Sequence, residues 1–206
     1  MTIPRAYFVI GPAGSGKSTV ARLLARLTGA AYIDKDTACT RLTEALLELA
    51  GTDPSERDLN PYYQSAVMDL EYLTILDLAR DNLAVGRPVV LDAPFGRYFS
   101  RPEYLAEVAE RHSWPRQAEA VVVRVETDSE TARARVRARG CARDLSKLAD
   151  WDAFWRKSQD NACRWSSRHS LVFDNRADGV APDAVARALG GLGGLAEDTA
   201  RGLTAR

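Results

Sequence analysis

The sequence predicts an α/β fold, a parallel sheet with helices on both faces. Three observations predict it. Five short apolar runs rich in β-branched residues read as strands: Ala6 to Ile10, Ala31 to Ile33, Pro88 to Leu91, Ala120 to Val125 and Leu171 to Phe173. Most are continuous rather than alternating, which suits strands covered on both faces. Stretches of helical periodicity lie between them, and a glycine-rich segment joins the first strand directly to the first helix.

That segment follows Tyr7-Phe8-Val9-Ile10 and reads GPAGSGKS, fitting G-x-x-x-x-G-K-[ST] at Gly11, Gly16, Lys17 and Ser18. Successive backbone N–H groups in such a loop curl around a phosphate, an approach that side chains would block. The next helix adds its free N–H groups and positive dipole end. Gly11, Ala13, Gly14, Ser15, Gly16, Lys17, Ser18 and Thr19 are therefore expected to hold a nucleoside triphosphate. Lys17 would reach the β- and γ-phosphates, and the Ser18 hydroxyl would ligate Mg²⁺. The loop alone does not say which reaction follows.

Val20, Leu23, Leu24 and Leu27 recur at helical spacing before Gly29, a helix stop. The second strand ends in YIDKD, 32 to 36. Ligands sit at the carboxyl ends of parallel strands. A kinase needs a carboxylate there to orient the acceptor hydroxyl and take its proton. Asp34 and Asp36, two residues apart, leave the strand on roughly one face. Asp36 is expected to be the base, with Asp34 as support or alternative base. The plainer alternative is that one of them caps the next helix.

Leu42, Leu46 and Leu49 mark that helix, ended by Gly51. A turn-rich loop, 51 to 61, precedes a long helix at 62 to 85. About 37–86 is thus a helical insertion that would select the acceptor. The third strand runs into VVLDAPF, 89 to 95, where Asp92 suits Mg²⁺, often through water. Ala93 and Pro94 follow it, where many hydrolases carry a water-activating glutamate. That favours transfer to an acceptor over hydrolysis.

Residues 131 to 144 carry Arg133, Arg135, Arg137, Arg139 and Arg143. Arg135 and Arg139 share a helix face, and Gly140 breaks the helix. Guanidinium forks match the charge spread over a transferred phosphoryl group, and a lid carrying them would exclude water. Arg133 and Arg137 read as a solvated face. The lid, about 128–160, continues with Trp151, Phe154 and Trp155, a stripe read as core. From Ala181 the tail, 181–206, reads as one helix, two glycine pairs and a weak second helical stretch, with a frayed end.

Composition narrows the function classes. Lys plus Arg equals Asp plus Glu, 28 each, which argues against a general nucleic-acid binder. No run approaches the roughly 18 apolar residues of a membrane span, and the N-terminus lacks a signal-peptide pattern. The three cysteines and two histidines form no zinc spacing. Cys39, Cys141 and Cys163 are expected to be reduced thiols in a cytoplasmic protein, His169 structural, and His112 solvent-facing.

GPAGSGKST, YIDKD, VVLDAPF and the arginine-rich helix, in this order, resemble the P-loop kinases that include zeta toxins, chloramphenicol phosphotransferase, gluconate kinase and the polynucleotide 5′-kinase domain, within the AAA-type ATP-binding proteins. The resemblance covers about residues 5 to 178 and implies one kinase domain, 1–180. It implies a P-loop NTPase fold, a five-stranded parallel sheet in the order 2-3-1-4-5, and a mobile lid. It also implies ATP with Mg²⁺ as donor, a hydroxyl as usual acceptor, Asp36 as base, and Arg135 and Arg139 as lid arginines. Adenine would lie near FDNRADG, beside Asn175 and Arg176, and no N-K-x-D guanine signature is present. Arg41, Asp92, Arg97 and Tyr98 join Asp34 and Asp36 as candidate acceptor contacts. Asp53, Glu56, Arg57 and Asp58 lie in the insertion loop. The expected function is an ATP-dependent kinase acting on a hydroxyl of a small molecule, as a monomer or homodimer. The alternatives are a polynucleotide 5′-hydroxyl kinase, or a zeta-toxin-like or regulatory ATP-binding protein.

Overall fold

The computed structural model describes residues 3–54, 57, 60–141, 144–176 and 179–192. Glu56, Asp58, Arg143 and the second helical stretch expected in the tail lie outside them. Strands β1 (Arg5–Ile10), β2 (Ala31–Asp34), β3 (Val89–Asp92), β4 (Glu119–Glu126) and β5 (His169–Asp174) form one parallel sheet. Its order is β2-β3-β1-β4-β5, the order of the P-loop NTPase fold implied by the resemblance.

Every residue of the central strand β1 is buried, which is why its sequence is continuously apolar. Its side chains alternate between two cores. Tyr7 and Val9 face α1 (Lys17–Thr28) and α8 (Pro182–Gly190), packing with Val20, Leu24, Val185 and Leu189. Ala6, Phe8 and Ile10 face α3 (Met68–Ala84) and α4 (Tyr104–Arg111). There Phe8 meets the rings of Phe95, Trp114 and Trp165, with centroids 5.3, 6.0 and 5.7 Å away. Such aromatic pairs add to the energy of area burial.

Helix α2 (Lys35–Leu49) follows β2 without an intervening loop. Leu42 and Leu49, which mark this helix in the sequence, are 68% and 87% exposed. The buried face is instead Lys35, Cys39, Thr43 and Leu47. It is largely polar because it closes on Glu71 of α3, which needs hydrogen-bonding partners once buried. The long third helix begins as a π-turn, Tyr63–Val67, that turns Tyr63 inward before α3.

His112 corrects an expectation. It is buried, and its Nδ1 lies 2.8 Å from Asp77 Oδ1. Trp114, two residues on, enters the aromatic core and draws this polar turn inward. Helices α5 (Ser129–Arg139), α6 (Leu145–Ala149) and α7 (Trp151–Asp160) form the region expected to be a lid. Trp151, Phe154 and Trp155 pack on Ala132 and Val136, a small core of its own. The three cysteines are free. No described helix is long and apolar enough to cross a membrane.

Candidate active site

The loop between β1 and α1 is shaped by what surrounds it. Gly14 and Gly16 have φ of 80° and 83°, a left-handed backbone that favours glycine. A Cβ on Gly14 would collide with the Ala132 carbonyl, and one on Gly16 with the Asn175 side chain. The loop is also braced from behind. Asn175 Nδ2 donates to Ser15 O at 2.6 Å. Arg135 Nη1 donates to Asn175 O at 2.8 Å and to Gly14 O at 3.5 Å, and its Nη2 to Arg176 O at 3.2 Å.

This loop fits a triphosphate. Gly16 caps α1 without a side chain, so the first-turn amides keep no side-chain acceptor. Ser15 Oγ is buried with no hydrogen-bond partner among the described residues. Lys17 Nζ spans the loop to Pro12 O at 2.8 Å. Removal from water pulls the Lys17 ammonium down to about 8, with Asp92 and Asp36 opposing and Arg139 and Lys147 reinforcing that shift. Lys17, Asp36, Asp92 and Arg139 therefore share one electrostatic neighbourhood.

Asp92 ends β3 and is buried. Burial pushes its carboxyl up, while hydrogen bonds from Ser18 and Tyr32 and the Lys17 charge restrain the rise. Ser18 and Asp92 are thus side by side, as a Mg²⁺ held partly by phosphate and water would require. Among the described residues no three acidic, His or Cys side chains form an all-protein metal cage.

The two aspartates after β2 differ in their surroundings. Asp34 is the N-cap of α2, with Oδ1 accepting from the Thr37 N–H at 2.6 Å and Oδ2 lying 3.3 Å from Tyr32 Oη. Asp36 sits in the first turn of α2, its Oδ1 3.5 Å from Lys35 Nζ. Lys35 is buried and paired with Glu71, which also accepts from Thr43 Oγ1 at 2.6 Å and Tyr63 Oη at 2.7 Å. Arg57 joins this cluster, 3.8 Å from Glu71 Oε1, instead of standing in an open loop.

The other expected residues lie further out. Arg97 Nη1 donates to Gln64 O at 2.8 Å, and Tyr98 Oη to Asp69 Oδ1 at 2.7 Å, so both brace the turn after β3 against the start of α3. Arg41 is exposed on α2. Arg176 is exposed and paired with Asp174. Asn175 commits its side-chain amide to the loop. Arg139 Nε donates to Asp144 Oδ2 at 2.5 Å, and Lys147 Nζ to Oδ1 at 3.2 Å. Burial raises the Asp144 carboxyl, but these cations more than offset it and hold it below the usual range.

The sequence reading passed over Tyr32, Lys35 and Glu71. A signal for two of them existed. Lys35, Cys39, Thr43 and Leu47 recur every four residues, as do Glu71, Ile75, Ala79 and Leu83, and both rows are buried. A charge in line with apolar residues at that spacing marks a buried pair.

A family model described as "AAA domain" matches residues 7–158. No curated protein matches the chain. Among solved structures, the fold is similar to that of a provisionally named kinase from Chloroflexus aurantiacus j-10-fl, at 14% identity over 94% of this chain and 100% of that one, with a TM-score of 0.63. A sugar kinase from Janibacter sp. HTCC2649 is similar at 16% identity, over 92% and 94%, with a TM-score of 0.57. A gluconokinase from Sinorhizobium meliloti 1021 is similar at 19% identity, over 98% of both chains, with a TM-score of 0.53. At these identities the likeness is one of fold.

Proposed function

Because the chain belongs to the AAA domain family, we propose that it is an ATP-dependent kinase that transfers the γ-phosphate to a hydroxyl of a small molecule. The observation that carries this reading is the glycine loop between β1 and α1, with Lys17 spanning it and Ser18 bonded to the buried Asp92 at the end of β3. The α1 amides and Lys17 would hold the phosphates, and Ser18 and Asp92 would hold Mg²⁺. Bound Mg²⁺ supplies charge neutralisation at the phosphate oxygens.

Asp36 would orient the acceptor hydroxyl and take its proton as the oxygen bonds to the γ-phosphorus and the bond to ADP breaks. Asp34 has both oxygens occupied by the α2 cap and Tyr32, which supports Asp36 as the base. Arg139 would stabilise the charge on the transferred group once it leaves Asp144. Arg135 braces the loop. Alanine and proline after Asp92 provide no carboxylate to activate water, which supports transfer over hydrolysis. The names of two similar structures, a sugar kinase and a gluconokinase, support a small polyhydroxylated acceptor. So does the even charge balance.

The test is ATP consumption with Mg²⁺ across nucleosides, sugars, sugar acids, antibiotics and 5′-hydroxyl oligonucleotides, with mass spectrometry of the products. A phosphorylated small molecule is expected. Phosphate on the oligonucleotide alone, or ATP bound without transfer to any acceptor, would contradict the reading.

A further inference from the structure

We propose that Tyr32 is a positioning residue that sets the orientation of the Asp92 carboxylate for Mg²⁺ and ties it to helix α2. The inference rests on the nucleotide site of the kinase reading and adds a residue to it.

In the parallel pair of β2 and β3, Asp34 lies opposite Asp92 and Tyr32 opposite Val90. Neighbouring strands are about 4.8 Å apart, so two carboxylates end adjacent strands side by side. Like charges at that range repel. Among the described residues, neither aspartate makes an ion pair within 4.0 Å. The group between them is the Tyr32 hydroxyl, 2.7 Å from Asp92 Oδ2 and 3.3 Å from Asp34 Oδ2. The O–H donates chiefly over the short distance to Asp92, and the same proton is shared over the longer, weaker contact with Asp34.

Tyr32 and Asp34 are two apart on one strand, so their side chains leave on the same face. That is how a tyrosine reaches past its own neighbour to the next strand. Its ring is fixed in turn: it packs against the core on the α1 side, with the Arg22 guanidinium 5.4 Å from its centroid. Asp92 is buried and receives two hydroxyls, from Ser18 and Tyr32. Two donors on one carboxylate leave it a single orientation. Ser18 lies in the first turn of α1 and is itself an expected Mg²⁺ ligand, whereas Tyr32 is held in the register of β2 on β3. Asp34 meanwhile caps α2, and the first turn of α2 carries Asp36. One phenol thus links the carboxylate expected to hold Mg²⁺ with the helix bearing the expected base.

The test compares wild type and Tyr32→Phe, which keeps the ring and removes the hydroxyl. Binding of AMP-PNP is measured by calorimetry, once with Mg²⁺ and once with a chelator. In the wild type Mg²⁺ tightens binding. In Tyr32→Phe the chelator affinity is expected to stay within about twofold, while the Mg²⁺-dependent gain shrinks roughly tenfold, as for loss of a hydrogen bond to a charged group. A general folding defect would weaken both conditions alike, and that result would overturn the inference. So would an unchanged Mg²⁺ gain. Tyr32→Phe/Asp34→Asn, which also removes the repulsion, is expected to regain part of the gain, and no recovery would overturn the link to Asp34. A wild type that binds no AMP-PNP would instead overturn the nucleotide reading itself, and this inference with it.

Discussion

Lys35 and Glu71 form an ion pair sealed between α2 and α3, with side chains only 7% and 2% exposed. Glu71 is also the acceptor for Thr43 and Tyr63 and lies near Arg57, so one carboxylate gathers Lys35 and three partners from separate parts of the helical insertion. Lys35 in turn lies beside Asp36. The insertion expected to choose the acceptor and the aspartate expected to act on it are thereby joined through a single buried cluster.

Glu71→Ala leaves Lys35 and Arg57 facing a void without their carboxylate. Breaking a buried pair from one side costs about 3–5 kcal/mol. Urea denaturation is expected to show a loss of that size, with Lys35→Met/Glu71→Leu recovering only part of it, because Thr43, Tyr63 and Arg57 still lack their acceptor. A loss below about 1 kcal/mol, the range of an exposed pair, would contradict the sealed cluster.

Arg135 and Arg139 share a helix face in the sequence but have different partners in the structure. Arg135 holds the carbonyls of Gly14, Asn175 and Arg176, whereas Arg139 is held by Asp144. Arg135→Ala is expected to weaken ATP binding roughly tenfold by loosening the loop. Arg139→Ala is expected to leave ATP affinity nearly intact and to lower kcat by roughly a hundredfold or more. Calorimetry and turnover measured on both variants separate the roles. Equal effects on affinity would contradict the division.

The lowered Lys17 pKa, about 8 against the usual 10.5, has a defined sign. The unfolded chain holds that proton more tightly than the folded one. This group therefore opposes folding below about pH 8, and the opposition fades as pH rises through 8 toward 10.5. Bound phosphate restores the charged form, so binding takes up a proton where free Lys17 is partly neutral. Calorimetry in buffers of different ionisation enthalpy is expected to show uptake at about pH 8.5 exceeding that at about pH 7. Equal uptake at both would contradict a depressed Lys17. Lys17→Ala is expected to lower kcat/KM for ATP sharply, and an unchanged value would remove the lysine from the site.

The sheet was legible because strands buried on both faces are written as unbroken apolar runs, and β1 is the clearest case. Their order was not legible in any run; it came with the resemblance. The phosphate-binding loop was legible because close backbone approach demands glycine at fixed spacing. The Leu42, Leu46 and Leu49 stripe marked the helix but is not its buried face, which is the mixed row Lys35, Cys39, Thr43 and Leu47 closing on Glu71. Tyr32 was hidden for another reason. Its partner Asp92 is 60 residues away, and only the register of β2 on β3 brings them together.

The most direct test of the account is single-turnover transfer of a labelled γ-phosphate from ATP, measured in the wild type and in Asp36→Asn with the acceptor found in the panel. The account predicts labelled acceptor from the wild type, and no transfer from Asp36→Asn although it binds ATP with wild-type affinity. Transfer by Asp36→Asn at the wild-type rate would contradict it. Label recovered only as inorganic phosphate from both proteins would contradict it as well.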